Sequence, residues 1–67
     1  MRARRYDPTE TKARVLAAAH MLFSRQGFAA TGTPEIVAAA NVTRGALYHH
    51  FSDKQALFAA VVTAPSH

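Results

Sequence analysis

The chain has no cysteine and no tryptophan, four acidic residues, and only three glycines and three prolines among 67 positions. Without cysteine it can form neither a disulfide nor a thiolate metal site. A core of this size is marginal without such a staple or a partner. The acids Asp7, Glu10, Glu35 and Asp53 are well spread, so no paired carboxylates or nucleophile–base set emerges, and no enzyme is expected. Histidine occurs at positions 20, 49, 50 and 67, with no i, i+4 pair. His49 and His50 diverge by about 100° on a helix, so no metal site is expected. Nothing points to a cofactor. No apolar run approaches the roughly 18 residues that cross a bilayer, and the positive charge gathers near the start of the chain rather than along one helix face, so no membrane partner is expected. Met1–Tyr6 is basic, but no uninterrupted apolar stretch follows it. A signal peptide is therefore not expected, and the cytoplasm is the expected compartment. No segment alternates with the period of a strand.

What the chain has is positive charge and helical periodicity. Eight lysines and arginines against four acids give a net charge of +4. Such an excess attracts polyanions, nucleic acid first. Five of those cations (Arg2, Arg4, Arg5, Lys12, Arg14) fall in the first 14 positions. Residues 1–7 read as a flexible basic arm, able to add phosphate contacts or enter a minor groove.

Asp7, Pro8 and Glu10 make a helix start that resembles a capping box. The first helix is predicted over 8–26, with Val15, Leu16, Ala19, Leu22 and Phe23 on one face and Gly27 as its stop. Thr33 followed by Pro34 predicts an N-cap and a second helix over 34–40. Asn41 tolerates a left-handed turn, and Val42 can plug the gap between helices. Thr43 caps a third helix over 44–51, and Ser52 or Asp53 caps a fourth over 53–63. Residues 64–67 form a tail. The architecture is all-α, a three-helix homeodomain-like helix-turn-helix bundle plus the start of a fourth helix. In such a motif the second helix of the pair sits in the major groove of DNA.

On a helical wheel Leu47 and Phe51 fall within about 40° of each other and define a core side. Gly45, Ala46 and His49 face the opposite way, flanked by Tyr48 and His50. Two small residues there would let the backbone come close to another molecule. In a groove, Ala46 could meet a thymine methyl, and Arg44 could donate to guanine O6 and N7. Tyr48 and His49 could donate to phosphates, and Gly45 leaves N–H groups open at the helix start. Lys54, opening the fourth helix, and Thr33, opening the second, offer further phosphate clamps.

The stretch GFAATGTPEIVAAANVTRGALYHHFSDK, residues 27–54, resembles the TetR-type transcriptional regulators. AAHMLFSRQGF looks like that family's A-x-x-L-F-x-x-x-G-[FY] segment, Thr31 and Ile36 match its T and I, and TRGALYHHFSDKQALF is similar to its recognition-helix signature. The likeness covers residues 11–60 and is specific over 43–58. It implies that Arg44, Ala46, Tyr48 and His49 face bases and phosphates. By the same likeness Thr33, Thr43, His50 and Lys54 hold the DNA backbone, and Leu47 and Phe51 are core. There are departures: Thr33 stands where the family usually has a β-branched apolar residue, Val37 replaces its alanine, and Asn41 its glycine.

Family members are similar to a three-helix reader followed by a larger helical domain that binds a small-molecule effector and dimerises. This chain stops within the fourth helix, as an excised domain or a truncated product would. The expected partner is double-stranded DNA. A homodimer is expected of a full-length protein and only weakly of this fragment. Leu57, Phe58, Val61 and Val62 would then be exposed on the fourth helix. That exposure supports an alternative reading, a helical module docking a partner protein through this face, or a fragment with weak, non-specific DNA binding.

Overall fold

The computed structural model describes residues 8–63. The basic arm at 1–7, the cap assigned to Asp7 and the tail at 64–67 lie outside the described residues. Four helices follow in order: α1 (Pro8–Gln26), α2 (Thr33–Ala40), α3 (Arg44–His50) and α4 (Lys54–Thr63). No strand occurs among the described residues. None of these helices is long and apolar enough to cross a membrane.

The ends of α1 and α2 and the starts of α3 and α4 have local causes. Gly27 adopts φ 88°, a left-handed conformation that glycine takes without a Cβ penalty. Its N–H donates to Phe23 O at 2.9 Å and closes α1. Asn41 takes the same role after α2, with φ 60° and ψ 46°. Its N–H donates to Ala38 O at 3.2 Å, and that of Val42 to Val37 O at 3.1 Å. This pair of bonds is a Schellman motif, which satisfies carbonyls that α2 would otherwise leave open. The Thr43 hydroxyl caps α3 by accepting from Ala46 N at 3.0 Å. Asp53, not Ser52, caps α4: its Oδ1 accepts from Ala56 N at 2.8 Å.

Two sequence expectations need correction. The extended residue before α2 is Gly32 (φ −107°, ψ 155°), with no side-chain cap. Thr33 is the first residue of the helix rather than its cap, because the helical ladder already starts from Gly32 O, which accepts from Glu35 N and Ile36 N. Helix ends also shift by one residue: Phe51 is extended (φ −135°, ψ 129°) and terminates α3 at His50.

The second correction concerns α4. Leu57 is fully buried, not exposed. It joins Val15, Ala18, Ala19 and Phe23 of α1, Ile36 and Ala40 of α2, Leu47 of α3, and Phe51 in one core. Alanines at the contacts let the helices approach closely. Phe58 remains 38% exposed, yet its ring packs edge-on against Phe23 and Phe28, at centroid distances of 5.4 and 5.1 Å. Val61 is half-buried. Of the four apolar residues expected at the surface, Val62 is the most exposed, at 61%.

Candidate nucleic-acid interface

The turn of Asn41, Val42 and Thr43 holds α2 and α3 together and fixes which side of α3 faces out. Leu47 and Phe51 anchor the inner side in the core. The outer side then carries Arg44, Gly45 and His49 as exposed residues, with Ala46 and His50 half-buried beside them. Tyr48 is 41% exposed. The wheel's core side holds, and Gly45 and His49 face out as expected, while Ala46 is more covered than the wheel implies. The Arg44 side chain makes no hydrogen bond or ion pair among the described residues. His49 and His50 meet edge to face at 5.1 Å, and His50 also lies against Phe51 at 6.3 Å.

Gly45 has no internal reason to be glycine. Its φ lies outside the left-handed region, and a Cβ added there would meet nothing within 4 Å. In a helix, glycine is less stable than alanine by about 0.5–1 kcal/mol. The fold thus carries a small cost on its outward face and gains no packing in return.

The polar side chains expected to grip a backbone are only partly free to do so. Thr43 uses its oxygen to cap α3, which leaves its hydroxyl proton to be donated elsewhere. Thr33 and Tyr48 are joined, oxygen to oxygen, at 3.0 Å. Lys54 turns toward the α1–α2 connector. Its Nζ donates to Phe28 O at 2.8 Å and to Thr31 O at 2.9 Å, and it sits 4.2 Å from the centroid of the Phe28 ring. Two of the three ammonium donors are thereby engaged. The first residue of α4 is a strap across the connector that leads into α2.

Other polar residues of this frame were not assigned from the sequence. Thr31 is 1% exposed, and its hydroxyl donates to Gly27 O at 2.8 Å, with a longer contact to Leu22 O at 3.3 Å. Gln26 donates to Glu35 Oε1 at 2.6 Å, tying the end of α1 to the first turn of α2. Among the described residues, no three histidine, cysteine, aspartate or glutamate side chains gather as metal ligands.

Two short helices joined by a three-residue turn, the second pinned by apolar anchors with its small and basic residues outward, define a helix-turn-helix domain. A model of the family described as "Bacterial regulatory proteins, tetR family" matches residues 15–61, and the chain belongs to that family. Over 60 residues it is 45% identical to the HTH-type transcriptional regulator AcrR of Shigella flexneri, covering 90% of this chain and 28% of that protein. Over 62 residues it is 37% identical to the HTH-type transcriptional repressor BepR of Brucella suis biovar 1, covering 92% and 30%. The same values hold for the regulator TtgR of Pseudomonas putida. The chain thus spans less than a third of the length of these relatives.

Proposed function

We propose that this domain is the DNA-reading part of a cytoplasmic transcriptional regulator, a repressor, and that α3 enters the major groove of double-stranded DNA. The observation that carries this reading is Gly45: an outward helical glycine that no turn, backbone angle or neighbour requires. A partner coming within backbone distance of α3 explains it. Arg44, exposed beside it, supplies a fork suited to guanine. Ala46 and His49 complete the reading face, and Thr43, Tyr48, Thr33 and His50 hold phosphates beside it. Lys54 acts chiefly by holding the connector, and its charge adds to the field at that edge. Residues 8–63 form the reading domain, with 1–7 as a basic arm and 64–67 as a tail.

Family membership and the regulator names of the relatives support this reading, and the name of BepR describes a repressor. A regulator of this kind reads two half-sites as a dimer. The domain by itself engages one half-site, with affinity that falls as salt rises.

The test is selection of bound sequences from a random duplex library at two salt concentrations. Enrichment of a defined half-site is expected. Binding that enriches nothing and vanishes with salt would leave only a polyanion binder.

The docking reading loses one of its residues, since Leu57 is core.

A further inference from the structure

We infer that Thr33 and Tyr48 act on DNA as one unit, a hydroxyl pair that presents a single donor to one phosphodiester oxygen and sets the Tyr48 ring before DNA arrives. The inference rests on the reading of α3 as the DNA-facing helix.

The two hydroxyl oxygens lie 3.0 Å apart, across 15 residues of sequence. Their bond bridges the first turn of α2 and the outer side of α3, so it spans the helix-turn-helix at its surface. Thr33 is free to make it because the residue before α2 is Gly32, and no side chain caps that end. Threonine is stiff at χ1, and Pro34 fixes the chain immediately after it. The anchor is therefore the rigid partner and Tyr48 the long one.

Proton counting gives the consequence. Two hydroxyls carry two protons. One lies between the oxygens, whichever residue donates it. The other belongs to the residue that accepts, and it points away from the bond toward an outside oxygen. Donating it polarises the inner bond and strengthens both. The pair therefore takes one phosphate oxygen where two independent residues would take two. Tyr48 also loses less side-chain freedom on binding, because its rotation is already set. Both groups are neutral, so the pair releases no counterions, and its loss leaves the salt slope unchanged.

The experiment is a double-mutant cycle on this chain, with the half-site duplex recovered by selection and a scrambled duplex as control. The variants are Thr33→Val, Tyr48→Phe and the double, measured at two salt concentrations. Each single is expected to weaken binding by about 3- to 10-fold, the range of one net hydrogen bond. The double is expected to lose no more than the worse single, with log–log salt slopes parallel to the parent. Thr33→Ser keeps the hydroxyl without the β-branch and is expected to bind closer to the parent than Thr33→Val does. Thermal melts of all variants are expected to match the parent, because the bond lies in solvent. A double whose loss is the product of the two singles overturns the pair, as does a Thr33→Val chain that binds unchanged. A melt that collapses in Thr33→Val places the bond in the fold rather than at the interface, and also overturns it. A parent that cannot tell the two duplexes apart overturns the DNA reading itself. A discriminating parent with additive variants overturns the pair alone.

Discussion

Replacing Lys54 with methionine keeps most of the apolar stem of the side chain and removes its charge and donors. The parent ammonium makes two bonds to carbonyls, at 2.8 and 2.9 Å, and a ring contact at 4.2 Å. A hydrogen bond to a charged group contributes about 1.5–3 kcal/mol, and an exposed cation–π contact about 0.5–1 kcal/mol. These do not add in full. One charge serves all three, and the site is only half-buried, so water can reach the abandoned carbonyls. A loss of about 2–3 kcal/mol is the expected result. A chain of 67 residues has a total stability of roughly 3–10 kcal/mol at typical per-residue values. The change is therefore a large fraction of the whole, and at about 4–8 °C per kcal/mol it lowers Tm by roughly 10–20 °C. Thermal and urea denaturation followed by circular dichroism measure it directly. A melting point within about 2 °C of the parent refutes the strap. Lys54 would then matter through its charge toward DNA alone.

Gly45→Ala is expected to raise stability by about 0.5–1 kcal/mol, because the added Cβ meets open space. The same change is expected to weaken binding to the selected half-site, a split that melting and titration on one preparation resolve. Thr31→Val leaves the carbonyls of Gly27 and Leu22 without their hydroxyl. It is expected to cost about 1–3 kcal/mol in urea unfolding, the range for an abandoned buried partner. Asn41→Ala removes the short polar side chain that lets asparagine tolerate φ 60° and is expected to cost about 1 kcal/mol, whereas Asn41→Gly, with no Cβ at all, is expected to melt at or above the parent temperature.

The helices were legible because their signals are local. Gly27, Asn41 and Thr43 act on backbone within a few residues, and all three do what their residue types predict. Leu47 and Phe51 are core because seven residues suffice to show which side of α3 is apolar. Leu57 was misplaced because the family resemblance grouped it with residues that face a following helical domain, and KQALFAAVVT is apolar nearly all round, so nothing separated it from them. With no polar face for contrast, periodicity cannot say which side turns inward. Thr33 was assigned a cap from its residue type and the proline after it. The choice between Gly32 and Thr33 depends on where the ladder begins, which the sequence does not mark. The strap at Lys54 and the Thr33–Tyr48 pair were invisible for a different reason. Their partners lie 15 to 26 residues away, and no spacing rule links a side chain to a distant carbonyl or hydroxyl. Of the residues proposed to read DNA, the ones legible in sequence face outward by default. The ones the structure recasts are those it uses twice.

The central claim is that α3 reads bases through Arg44. The most direct measurement is the ratio of affinities for the selected half-site and a scrambled duplex, at one fixed salt concentration, for the parent and for Arg44→Ala. One bidentate base contact carries about 1–3 kcal/mol of discrimination, or roughly 5- to 150-fold. The parent is predicted to prefer the half-site, and Arg44→Ala to lose at least about fivefold of that preference. An unchanged ratio in Arg44→Ala, or equal weakening on both duplexes, would make Arg44 a phosphate contact and contradict the claim.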